Sequence, residues 1–121
     1  SEGTYDQGRG ETLDYLAVAQ WLQAQRPNDA LWLAGFSFGS WVALRAARQL
    51  PVQQMVCIAP PVGFRDFTGV PPPTCPWLVV QGEQDDVVDP QQVFDWVAAA
   101  ENPPTLVRMA DAGHFFHGRL V

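Results

Sequence analysis

Leu31-Trp32-Leu33-Ala34-Gly35-Phe36-Ser37-Phe38-Gly39 is an apolar run that ends on a glycine-flanked serine and then passes into a helical pattern. Gly35, Ser37 and Gly39 have the Gly-x-Ser-x-Gly spacing of a sharp strand-to-helix turn, which strains the serine and lifts its hydroxyl clear of the chain. Side chains at the two glycines are expected to collide where the turning strand passes the outgoing helix, so both positions require the absence of a Cβ. The turn also sets Ser37 at a helix start. There the amide of Phe38 has no intrahelical acceptor and faces the place where a substrate oxyanion would form. Ser37 is therefore a candidate nucleophile. The flanks suit the motif: residues 30–36 read as a continuous apolar strand, and Ser40 to Leu50 reads as a helix stopped by Pro51.

The chain of 121 residues is read as a single domain, 1–121. That length buries about two-thirds of the surface of the unfolded chain, enough for a modest core. With 47% hydrophobic and 17% charged residues, neither a disordered nor a fibrous chain is indicated. The formal charge is −6, and the seven basic residues are scattered arginines, which argues against a nucleic-acid or anionic-membrane surface. No apolar run approaches the ~20 residues that span a bilayer. Ser1 to Asp6 has neither the basic start nor the apolar segment of a secretion signal. Cys57 falls in a strand pattern and Cys75 in a proline-rich loop, which makes no disulfide framework. A cytoplasmic location is the expectation from these features.

Residues 1–10 read as a loop. Glu11 to Arg26 is an amphipathic helix pattern with Tyr15, Val18, Ala19 and Leu22 on its apolar face and Pro27 as its stop. In the helix after Ser37, the apolar face is Trp41, Leu44 and Ala47 or Arg48. Gln54 to Ala59 is a second strand, closed by Pro60-Pro61. Residues 60–76 contain six prolines and two glycines and read either as the wall of a substrate pocket, with Phe64, Phe67 or Val70, or as a rigid connector. Trp77 to Val80 is a third strand. Asp89 and Pro90 supply the cap and first residue of a helix carrying Val93, Phe94, Trp96 and Val97, which ends before Asn102-Pro103-Pro104. Thr105 to Met109 is a fourth strand, and 115–121 has the pattern of a further helix opening.

Four strands alternating with helices predict an α/β fold with a parallel sheet. Right-handed crossovers in a sheet built steadily in one direction put the crossover helices on one face and leave the other bare. Continuous apolar strands, however, mark a sheet covered on both faces. The expectation is therefore a chain whose second face is covered by material lying before residue 1 and after residue 121.

A nucleophilic serine needs a base, a carboxylate to orient it and donors for the oxyanion. His114 directly follows the last strand, where a loop at the carboxyl ends of the strands presents it beside Ser37. His117 reads as a surface or supporting residue. Gly82-Glu83-Gln84-Asp85-Asp86 follows the third strand. Asp85 is the preferred acid with Asp86 its rival, Asp89 is explained by its cap, and Glu83 lies close to the strand end. The order Ser37, Asp85, His114 is one of the known orders of such a triad.

On Gly35-Phe36-Ser37-Phe38-Gly39, Gly82-x-x-Asp85 with Val87-Val88, and Gly113-His114-Phe115-Phe116, the chain resembles the greater part of an α/β-hydrolase. Three further stretches resemble the small, cap-less bacterial members: Ser1 to Asp6 with Gly10-Glu11, Ala59-Pro60-Pro61, and His114-Phe115-Phe116-His117-Gly118. The resemblance implies that the strands read here match the last four of a sheet of about eight, with the N-terminal part absent. A second oxyanion donor and the strand that pairs with residues 30–36 would then precede residue 1, leaving Phe38 as the one donor in this chain and a sheet edge open to self-association. The function implied is hydrolysis of small carboxylic esters, with no metal or cofactor. Ser37 would attack, His114 would carry the proton, Asp85 would hold the imidazolium and the Phe38 amide would bind the oxyanion. The alternatives are a thioesterase or peptidase using the same residues, or a non-catalytic α/β-hydrolase fragment. The expected partner is a small-molecule ester, with no nucleic acid and no membrane.

Overall fold

The computed structural model describes residues 9–65, 67 and 69–114. The elements run α1 (Arg9–Gln25), β1 (Leu31–Phe36), α2 (Phe38–Ala47), β2 (Val52–Ile58), β3 (Trp77–Gly82), α3 (Pro90–Ala98) and β4 (Thr105–Met109). Residues 1–8 and 115–121, with the expected closing helix and His117, lie outside the described residues. The four strands form one parallel sheet in the order β1-β2-β3-β4. No helix among the described residues is long and apolar enough to cross a membrane.

Strand alternation decides what lies on each side of the sheet. Leu33, Met55, Cys57, Trp77 and Val79 point to the helical side, where they pack with Trp41, Val42 and Leu44 of α2 and Val93 and Val97 of α3. Trp96 continues this core, its ring edge-on to Phe67 at 5.1 Å and to Trp77 at 5.6 Å. On the other side Trp32 and Phe36 are exposed, Val56, Ile58, Leu78 and Val80 are half-buried, and only a small cluster around Ala59 and Ala112 is closed. Among the described residues, then, the steady strand order leaves one apolar face uncovered, as right-handed crossovers require.

Several boundaries and faces differ from the sequence reading. α2 begins at Phe38 rather than Ser40, because the chain is helical immediately after Ser37. α2 also buries Ser40, Val42, Ala43 and Ala46 besides Trp41 and Leu44, because it is packed between the sheet and α1. β2 starts at Val52 and stops at Ile58, where Ala59 turns to φ 52°. β3 runs on to Gly82 because Gln81 and Gly82 still pair with Arg108 and Met109.

In α1 the buried residues are Thr12, Leu16 and Ala19, whereas Val18 is 59% exposed and Leu22 46%. The helix packs along α2, and its Tyr15–Val18–Leu22 stripe instead borders an apolar groove with Leu31, Leu33, Phe38 and Val42.

The proline-rich segment is a connector at two of its three candidate positions. Phe67 is buried in the core and Val70 packs against it, while Phe64 is 65% exposed. Asn102 ties the segment down, its Nδ2 donating to the carbonyls of Pro73 at 2.7 Å and Cys75 at 3.3 Å. Cys57 and Cys75 are both free and buried, and burial, with the nearby Cys75 thiol, pushes the Cys57 thiol up to about 12.

Candidate active site

The carboxyl ends of the four strands lie together, and each delivers part of one site. Ser37 follows β1 with φ 54° and ψ −123°, a left-handed conformation that is costly for a residue with a Cβ. Its backbone is held on both sides. The Ser37 amide donates to the Ile58 carbonyl at 2.7 Å, and the Ser37 carbonyl accepts from the amide of Ser40 at 2.9 Å and its hydroxyl at 2.6 Å. The Ser37 side chain does not cap α2. Its hydroxyl is free for other work, and Phe38 opens the helix with its amide in the first, unpaired turn.

The two glycines of the motif differ. A Cβ on Gly35 would run into the backbone of Gly39 and Ser40, as expected of a strand crossing its own helix. A Cβ on Gly39 would meet nothing within 4 Å, which corrects the expectation of a collision there. Gly39 borders the apolar groove between α1, β1 and α2, so the space beside it is open among the described residues.

His114, buried in the turn after β4, reaches across 77 residues of sequence to Ser37. Its Nε2 lies 3.0 Å from Ser37 Oγ and its Nδ1 lies 2.8 Å from Asp85 Oδ2. An ionised carboxylate only accepts, so Nδ1 carries the proton and the Nε2 lone pair is left to accept from the serine hydroxyl. The Phe36 ring packs on the imidazole at 5.3 Å.

Asp85 fills its lone pairs. Oδ1 accepts from the amides of Val87 and Val88, both at 2.8 Å, and Oδ2 accepts from His114 and from Gln81 Nε2 at 3.0 Å. Burial alone would raise its pKa, but the hydrogen bonds from Val88, His114, Gln81 and Val87 outweigh it and hold the carboxyl below its ordinary value. The rival Asp86 is exposed, Glu83 pairs with Arg108 at 3.3 Å, and Asp89 caps α3 by accepting from the Gln91 amide at 3.0 Å. The structure thus brings together Ser37, Asp85 and His114, with the Phe38 amide next to the serine.

Two contributors, Ser40 and Gln81, escaped the sequence reading, and a third, Gly82, was read there only as part of the acid motif. Ser40 clamps the serine's carbonyl, and its only sequence signal is a hydroxyl in the first turn of a mostly apolar helix. Gln81 is a polar residue at the inward position that follows Trp77 and Val79, an anomaly in a core register. Gly82 lets the acid loop close on the base loop, because a Cβ there would fall on the Ala112 carbonyl. Two backbone bonds stitch these loops: Glu83 donates to the Met109 carbonyl at 2.9 Å and Gln84 to that of Ala112 at 3.0 Å.

A parallel sheet with flanking helices and this convergence at the strand ends define an α/β-hydrolase-type domain. The chain is 57% identical to the lidless α/β serine hydrolase XC6422 of Xanthomonas campestris, with a TM-score of 0.89 over 97% of this chain and 53% of that one. It is 43% identical to an α/β serine hydrolase homologue from Coxiella burnetii, with a TM-score of 0.90 over 98% of this chain and 57% of that one. Among curated proteins it is 32% identical to the uncharacterized protein RP471 of Rickettsia prowazekii, over 96% of this chain and 53% of that protein. No family model matches. The chain spans about half the length of each of these relatives. Over that length it resembles the α/β-hydrolases, lidless ones included, in both fold and sequence.

Proposed function

We propose that the protein is a serine hydrolase that cleaves small carboxylic esters through an acyl-enzyme. Ser37 Oγ attacks the acyl carbon as its proton passes to His114 Nε2. Asp85 stabilises the imidazolium through Nδ1, and the Phe38 amide donates to the oxyanion. The intermediate collapses, the alcohol leaves with the proton from Nε2, and water then attacks the acyl-serine by the same route. The observation that carries this reading is one imidazole bonded to a hydroxyl on one ring nitrogen and to a carboxylate on the other. Esters are favoured over amides because an alcohol leaves more readily than an amine and asks less of the oxyanion donors.

The test is labelling by a fluorophosphonate probe, with release of p-nitrophenol from its acetate, on this chain and on Ser37→Ala. Labelling and turnover that vanish in the variant would support the reading. A folded chain that is not labelled would overturn it in favour of a non-catalytic relative.

A further inference from the structure

Gln81 is fully buried on the inner side of β3, where the register of Trp77 and Val79 would place an apolar residue. Its Nε2 donates both protons, one to the Gly82 carbonyl and one to Asp85 Oδ2, each at 3.0 Å. Both partners only accept, so the amide orientation is determined: a flipped amide would set Oε1 against two oxygens. In this orientation Oε1 is buried and meets no donor among the described residues. An unsatisfied buried carbonyl costs stability, and a methionine of similar length would fill the same volume without that cost.

The gain is at Asp85. Asp85 and His114 both stand on loops, whereas Gln81 stands on a central strand paired on both sides. Val87 and Val88 hold only Oδ1. The oxygen that faces the imidazole, Oδ2, is tied to the sheet by Gln81 alone among the hydrogen bonds described. Resting on the hydrolase reading above, we propose that Gln81 is a positioning residue: its amide anchors Asp85 Oδ2 to the sheet, so that the carboxylate keeps the His114 ring aimed at Ser37.

Two variants of the chain test this, Gln81→Met and Gln81→Glu. The readouts are the rate of fluorophosphonate labelling, the thermal midpoint and the titration of Asp85 by carboxyl carbon NMR. In Gln81→Met the labelling rate should fall about 10- to 100-fold, the range of a small misplacement of a reacting group, with a midpoint at or above that of the parent. Asp85 should titrate higher, having lost a donor to its anion.

In Gln81→Glu the protonated carboxyl can donate to Asp85 as the amide does, and the ionised one repels it. The labelling deficit relative to the parent should therefore grow as pH rises. Among the described residues, the ionisable groups around this position are Asp85, bonded to it directly, His114, bonded to the same oxygen, and Arg108, its register partner on β4. Asp86 is exposed and Glu83 is paired with Arg108.

Parent-like labelling and an unchanged Asp85 titration in Gln81→Met would overturn the proposal. If that variant does not fold, a pH-independent deficit in Gln81→Glu would overturn it instead. If the parent chain is not labelled, the hydrolase reading fails, and the Asp85 titration in the two variants still decides whether Gln81 holds the carboxylate.

Discussion

Gly82 and Ala112 touch through backbone alone: a Cβ at residue 82 would fall on the Ala112 carbonyl oxygen. The contact fastens the loop that carries Asp85 to the loop that carries His114. Neither atom involved is the end of a flexible side chain, so relief requires moving a loop. Gly82→Ala should lower stability by about 1–3 kcal/mol. It should lower fluorophosphonate labelling more than stability accounts for, as seen by comparing chains at a temperature where both are folded.

The same reasoning separates the two glycines around Ser37. Gly35→Ala drives a methyl into the backbone of Gly39 and Ser40 and should cost about 3 kcal/mol or more, with loss of labelling. Gly39→Ala has room and lies within α2, where alanine is the better helix former by up to ~1 kcal/mol. Its thermal midpoint should be unchanged or raised. A severe loss of stability in Gly39→Ala would contradict the open space seen beside it.

Asp85→Asn should be inactive while folded. The amides of Val87 and Val88 require an acceptor, so the new carbonyl oxygen takes the place of Oδ1 and the new NH2 faces His114. Nδ1 must then accept, which moves the ring proton to Nε2 and leaves it pointing at a hydroxyl that has to be deprotonated. A wrong tautomer of this kind costs on the order of 10⁴ in kcat in serine proteases. Steady-state release of p-nitrophenol measures it.

Acid should destabilise the protein partly through Asp85. The folded-state value lies below the ordinary 3.8, so below that pH the unfolded chain binds the proton more readily than the native one. The carboxylate's contribution is therefore complete above about pH 5 and is lost as the pH falls through the lower native value. Urea unfolding of the parent and of Asp85→Asn between about pH 2 and 6 should show a steeper acid limb for the parent. Parallel limbs would mean that the carboxylate is not held more strongly in the native state.

Much of the fold follows from local rules in the chain. The Gly35-x-Ser37-x-Gly39 turn, the Asp89-Pro90 helix start and the span of β4 each depend on neighbours within a few residues, where chain geometry and capping chemistry act. The sheet face that the described residues leave uncovered also follows from strand order and crossover handedness. Ser37, Asp85 and His114 could be nominated because strand ends and chain order restrict where such groups can stand.

What the chain could not reveal by itself depends on contacts made only after folding. Asp85 differs from Asp86 because the amides of Val87 and Val88 and the amide of Gln81 converge on it, and because its neighbour turns to solvent. The apolar stripe of α1 has a helical period on its own, but which residues it buries was decided by packing against α2, which covers Leu16 and leaves Val18 and Leu22 bordering a groove. Gly39 and Gly82 look alike in sequence. A Cβ has room at one and not at the other, because the steric need at Gly82 is set by backbone that arrives from 30 residues away, at Ala112. Periodicity and capping are short-range and legible, whereas the hydrogen bonds and close approaches that shape this site join β1, β3 and β4 and exist only in the tertiary structure.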